Sequence, residues 1–305
     1  MTSPRKSRTL RRKPSMVKRK SVPYVLIFPS MFLLAVFLVY PLINTIWISF
    51  WNYSYLSPES RTFVGLENYK DLFTADEGFL SSVSFTLRFT ITCIVLEFVL
   101  GMCIALVLKR IVLVGNLIRT IAIFPYMVAA IAVGQIWRLL LNRDYGVVNF
   151  VLAFLSIPPV NWLASPSASF WAVVIAEAWR STPFVMLILL AGLQSIPQDV
   201  MEASKVDGAS PLQVFRKITI PLLIPSITVA MVFETIFKLR VFDIIITLTG
   251  GGPGKSTTPL GVLIQRSYFQ SFEAGYSAAI SVVLLVFGGI ISAVYIKLVS
   301  SGDKG

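Results

Sequence analysis

Glu177 and Arg180 stand three residues apart, Glu234 and Lys238 four apart with the acid first, and Arg240 and Asp243 three apart. All six lie in apolar surroundings. On a helix these spacings bring the partners to one face, within reach of an ion pair. Ionisable groups inside a membrane are costly and mark functional positions by default. Two uses are open to them: mutual neutralisation inside a helix bundle, or the lining of a path for a polar solute. Polar groups beside aromatic rings suit a sugar, whose hydroxyls hydrogen-bond and whose ring face stacks. Trp179, Ser181, Phe184, Glu234 and Lys238 meet that description. Alternatively, Glu97, Glu177, Glu234 and Asp243 could relay protons. Glu97 lies deep in an apolar run and is expected to be paired or to face the interior. Arg88 and Arg138 are expected to snorkel near an outer membrane boundary.

Other chemistries find little support. The chain has no His, which removes histidine bases and histidine metal sites, and its two Cys are Cys93 and Cys103. On one helix these thiols lie about 15 Å apart along the axis, too far for a disulfide. Thr249–Gly254 could be taken for a phosphate-cradling glycine loop, but it lacks the GxxxxGK[ST] order and a strand-to-helix setting. It reads as a turn outside the membrane.

The elements that must hold these residues follow from composition. The 305 residues are 55% hydrophobic and only 14% charged, with a mean hydropathy of +0.77. Soluble domains carry about 25% charge. Six apolar segments, approximately 24–50, 83–108, 118–141, 168–192, 221–247 and 274–298, are long enough to cross a bilayer. Each must be helical, because lipid offers the backbone no partner. The expectation is an all-α integral membrane protein with six transmembrane helices. The first run is too long for a signal-peptide core, and no small-x-small cleavage site follows it, so it reads as a retained anchor.

The net charge of +12 is unevenly placed: nine of the 27 basic residues fall between Arg5 and Lys20. Such a run could bind nucleic acid. Directly before a hydrophobic span it marks the cytoplasmic side and touches anionic lipid. With the N-terminus inside, Lys109, Arg110, Arg119, Lys205, Arg216, Lys217, Lys297 and Lys304 also fall inside. Only Arg61, Lys70, Arg143, Lys255 and Arg266 fall outside. Both termini are therefore expected in the cytoplasm, in three parts: a basic tail (1–22), a six-helix domain (23–299) and a short C-terminal tail (300–305).

One polar insert, 197–221, interrupts the apolar pattern on the cytoplasmic side. Asp199–Val206 predicts a short helix, with Gly208 after Asp207 where a C-terminus favours positive φ. Ser210 and Pro211 then open a second helix, Leu212–Ile218, and Pro221 and Pro225 mark the return to the membrane. Ala203 and Gly208 are small enough to let another surface approach. From these residues alone, the insert is either a plain interfacial connection or a docking knob.

The pattern Glu202-Ala203-Ser204-x-x-Asp207-Gly208-Ala209, followed by Phe215, Ile218, Pro221 and Pro225, resembles the EAA loop of ATP-binding-cassette importer permeases. Ser204 departs from the family's usual second Ala, and both residues are small. Phe63-Val64-Gly65-Leu66-Glu67-Asn68-Tyr69 resembles the FVGLxNY segment of the carbohydrate-importer branch, the maltose- and glycerol-phosphate-type permeases. Trp179-Arg180-x-x-Pro183-Phe184 and Thr249-Gly250-Gly251-Gly252-Pro253 are similar to further segments of that branch, in its maltose F-like form.

The resemblance implies a type I importer permease fold and a non-catalytic subunit in a prokaryotic cytoplasmic membrane. The insert would be a coupling helix docked on an ATPase through Glu202, Ala203, Ser204, Asp207, Gly208, Ala209 and Phe215. The implied partners are a second permease, two ATPase subunits, an external solute-binding protein, a sugar and membrane lipid, with no nucleic acid. ATP and Mg would be bound by the ATPase and no cofactor by this chain, which has no Walker A sequence. It also implies sugar contacts at Trp179, Arg180, Ser181, Phe184, Glu234, Lys238 and Val241. Glu234 and Lys238 depart from the neutral polar residues of the maltose-type pattern, which leaves a phosphorylated polyol open as the substrate. A proton-coupled secondary transporter is the rival from another class.

Overall fold

The computed structural model describes residues 22–74, 77–110 and 115–302. The basic run between Arg5 and Lys20 and the last residues of the C-terminal tail lie outside them. The chain divides into two units, 1–47 and 48–305. In the first, α1 (22–48) is a helix with apolar side chains exposed along its length, among them Phe28, Phe32 and Phe37. It contains a π-turn, Ala35–Val39, closed by the Tyr40 N–H donating to the Ala35 carbonyl. Pro41 follows at once. Its ring would crowd the carbonyl four residues back and it has no N–H to give. The wider turn accommodates both facts without breaking the helix.

The second unit begins with a two-stranded pair, β1 (Trp51–Asn52) and β2 (Thr62–Phe63), antiparallel with Trp51 opposite Phe63. This small sheet is a minor addition to an otherwise helical fold. Asn68 ties it down by donating to the Ser49 and Trp51 carbonyls at 2.8 and 3.0 Å. The helices then follow as α2 (Glu67–Thr74), α3 (Glu77–Arg110), α4 (Gly115–Met127), α5 (Ala130–Leu140) and α6 (Val147–Phe154). They continue as α7 (Pro166–Ser195), α8 (Gln198–Val206), α9 (Pro211–Leu239), α10 (Asp243–Leu248), α11 (Leu260–Phe269) and α12 (Ala274–Gly302).

Helix α7 is the axis of the bundle, with two thirds of its apolar window buried (67%), against 28% for α3 and 22% for α9. Glycines set its crossings. A Cβ at Gly101 of α3 would sit 3.1 Å from the Met186 nitrogen, and one at Gly192 would collide with Ser226 and Leu223 of α9. Small residues at such contacts let membrane helices approach closely enough for dispersion to hold them.

Among the described residues, five helices are long and apolar enough to span a membrane, or six if the bent pair α4–α5 counts as one. Two expected spans are corrected by the structure. The third, 118–141, is broken: its halves meet at 98° around Val128 and Ala129. Pro125 weakens the turn before the break. The second half packs its Gly134 directly on Thr247 and Ile244 of α10, where a Cβ would overlap the Thr247 hydroxyl. The fifth, 221–247, is both longer and shorter than expected. Its helix begins at Pro211, inside the insert, and ends at Leu239. The chain breaks over 240–242 before α10, and at that break Gly261 approaches the Val241 carbonyl so closely that a Cβ would stand 2.7 Å from it.

Candidate functional site

A cleft of about 360 Å³ opens where the two breaks meet, lined by Tyr126 and Ala130 from α4–α5, Glu177 and Arg180 from α7, Phe237 from the end of α9, and residues 240–244 across the second break. Its wall mixes charges of both signs with aromatic faces. Arg240 and Asp243 are exposed beside it, and no ion pair within 4.0 Å joins them, although their spacing predicts one. Phe184 lies behind Tyr126, stacked at 5.4 Å between centroids, and meets Phe237 edge-on at 5.8 Å.

Behind the cleft is a buried ion cluster. The Lys238 ammonium, fully enclosed, lies 3.0 Å from Glu97, 2.8 Å from Glu177 and 2.7 Å from Glu234. These carboxylates come from α3, α7 and α9 itself. Glu177 Oε1 accepts from Lys238 Nζ, from Arg180 Nη2 at 2.7 Å and from Ser181 Oγ at 2.9 Å, while Oε2 accepts from Arg180 Nε at 3.2 Å. Glu177 and Arg180 both line the cleft, and Arg180 presents more to it, with a fifth of its side chain exposed (20%). The cysteines are free, Cys93 buried and Cys103 exposed.

Of the residues expected to meet a solute, Arg180 and Val241 line the cleft. Phe184 stands behind it, and Trp179 meets Trp137 edge-on at 6.1 Å. Ser181, Glu234 and Lys238 are buried within the cluster. Sequence reasoning missed Tyr126 and Phe237 of the wall. Tyr126 had a signal, since it follows the proline that precedes the break.

The insert has the expected turn. Gly208 takes φ +72°, and α8 ends at Val206 just before it. Ser210 caps the next helix in a reciprocal pair with Gln213, and Pro211 occupies the first turn. Leu212–Ile218 is not a separate helix. It runs through a π-turn, Phe215–Thr219, into the fifth span, again immediately before a proline, Pro221. Glu202, Ala203, Asp207 and Gly208 are exposed, Ala209 and Phe215 are half-buried, and Ser204 is buried with its hydroxyl donating to the Met201 carbonyl. Apolar Val206 (87% exposed) and Leu212 (64%) flank the turn, uncovered among the described residues.

The Gly-rich segment is a turn. Gly250, Gly251 and Gly254 have positive φ. Arg266 staples it by donating to the Gly250 carbonyl at 2.6 Å and to the Thr258 hydroxyl at 3.4 Å. Above it, Tyr55 and Tyr268 share a hydrogen bond of 2.5 Å. That bond, with some desolvation, pushes the Tyr55 pKa up to about 12.

Comparisons with known proteins agree with this geometry. The chain is 41% identical over 275 residues to the trehalose/maltose transport system permease protein MalF of Thermococcus litoralis, covering 90% of this chain and 92% of that one. The fold matches a chain of a bacterial ABC transporter involved in the import of the acidic polysaccharide alginate. The TM-score is 0.80 at 23% identity, over 92% of this chain and 96% of that one. A bacterial alginate ABC transporter in complex with an alginate pentasaccharide-bound periplasmic protein gives 0.78 at 22% identity, over 92% and 94%. The architecture is the ABC importer permease fold. Residues 97–300, which hold the ion cluster, the cleft and the insert, match the model of one family, and the chain belongs to it: the binding-protein-dependent transport system inner membrane components.

Proposed function

We propose that this chain is one permease subunit of an ATP-driven importer that passes a sugar, delivered by an external solute-binding protein, into the cytoplasm. The observation that carries the reading is a single helix. Helix α9 starts in the exposed insert and ends at Leu239, so its last turn holds Lys238 beside the cleft. One rigid element thus joins a knob fit for docking to a polar, aromatic-walled cleft fit for a sugar. MalF supports the substrate class, being a trehalose/maltose permease, and the alginate complex supports the binding-protein partner. The phosphorylated-polyol and proton-coupled alternatives have no such support.

In this mechanism the chain catalyses nothing. ATP and Mg are held by two ATPase subunits, and a second permease supplies the other half of the path. The insert and both termini face the cytoplasm. Closure of the ATPase pair pulls residues 199–218. That moves α9 and the broken third span, and turns the cleft from inward-facing to outward-facing. Hydrolysis and product release reset it.

The test is co-purification in mild detergent, comparing wild type with Gly208→Asp. A Cβ at Gly208 meets nothing within 4 Å, so the substitution strains only the turn itself, at φ +72°, and leaves the bundle's packing alone. Wild type should bring down an ATPase and a second permease, and the variant should keep the permease and lose the ATPase. An ATPase that stays bound to the variant with uptake intact would contradict the coupling role.

A further inference from the structure

Sugar contact does not account for Lys238. Its side chain is fully buried, so it touches no solute in the cleft. Burying an ammonium among carboxylates is weak support for stability, since apolar residues of similar volume often serve as well. What Lys238 does touch is Glu177, and Glu177 touches Arg180. Glu177 Oε1 is shared by Lys238 Nζ at 2.8 Å and Arg180 Nη2 at 2.7 Å. The second oxygen takes Arg180 Nε at 3.2 Å. The guanidinium is therefore gripped side-on through two of its five N–H groups. The grip leaves Nη1 ungripped, on a side chain that lines the cleft.

We infer that Lys238 is a positioning residue: with Glu97 and Glu234 steadying it from behind, it fixes Glu177, and Glu177 aims the Arg180 guanidinium at the sugar in the cleft. The inference rests on the sugar-importer reading above. A planar fork held in one orientation loses little freedom when it donates to substrate oxygens. Without the brace, Arg180 would keep its charge but lose its direction. The competing account is that Lys238 only balances buried carboxylates.

The test uses the whole importer, reconstituted in proteoliposomes and supplied with binding protein loaded with labelled trehalose or maltose. Uptake per ATP hydrolysed is read at saturating binding protein. The variants are Lys238→Met and the triple Glu97→Gln, Glu234→Gln, Lys238→Met, each with and without Arg180→Ala. In the triple, Glu177 and Arg180 remain as a balanced pair with no brace. Positioning predicts that Lys238→Met and the triple both lower uptake about ten-fold, the scale of one charge-assisted hydrogen bond. It also predicts that neither adds a loss once Arg180 is Ala. Uptake restored to wild type in the triple, or losses that multiply in the Arg180→Ala background, would overturn it. So would a triple that fails to assemble where the charge-conserving Lys238→Arg assembles and transports, since that marks a structural brace. A wild-type importer that moves neither sugar is a distinct result: it removes the sugar reading itself, and the inference with it.

Discussion

At the scale of single residues, several groups have no room to change. Gly134 lies against Thr247, and Gly134→Val should force α5 off α10 at a cost of about 1–3 kcal/mol. A thermal melt of the purified complex in detergent would show it as a lowered midpoint. Asn149 is as constrained by hydrogen bonds. Its amide donates to the carbonyls of Asn142, Arg143 and Val160, and its oxygen accepts from the Val160 N–H and the Trp162 indole. Asn149→Ala would strand several of these groups at about 1–3 kcal/mol for each that stays buried. Faster amide exchange confined to residues 142–162 is the expected outcome. Tyr55 offers a pH test. Its folded pKa lies above the ordinary value of 10.0, so the Tyr268 bond stabilises fully below about pH 10 and is lost as pH rises toward 12. Tyr55→Phe should remove that alkaline dependence, measured as the difference in stability between pH 9 and 12.

At the scale of elements, the prolines explain why α1 and α9 stay continuous. Each π-turn ends two residues before a proline, Pro41 or Pro221. In α9 this continuity matters mechanically. About 27 residues at 1.5 Å each make a lever of roughly 40 Å from the insert to Lys238. Pro221→Ala should let the turn tighten to an ordinary α-helix, rotating the insert relative to the cleft. The expected result is ATP hydrolysis retained with fewer sugars moved per ATP; unchanged coupling would show that the π-turn is not needed for it.

Elements also show how much the sequence carried. Long apolar runs fixed the spans because bilayer thickness sets their length. The turn at Gly208 and the Ser210 cap were legible because they depend on neighbours within four residues. Pairs such as Glu177–Arg180 and Glu234–Lys238 were legible for the same reason. What escaped was long-range. Glu97 could be expected to have a partner, but nothing local names Lys238, which arrives from another helix. Pro125 announces a kink, yet a 98° break depends on α10 waiting to receive Gly134. The Arg240–Asp243 pair fails because the helix ends between its members.

At the scale of the whole molecule, exposed apolar surface runs along α1 and the outer faces of α3 and α9. Lipid would cover such a surface, together with the second permease of the proposed assembly. In the proposed function, sugar movement through this chain is driven by ATP and fed by a binding protein. The most direct measurement is labelled-trehalose uptake into proteoliposomes holding the co-purified complex. ATP, loaded binding protein and the proton gradient would each be removed in turn. Uptake should stop without ATP or without binding protein and persist when the gradient is collapsed. Uptake that follows the gradient and ignores ATP would contradict it.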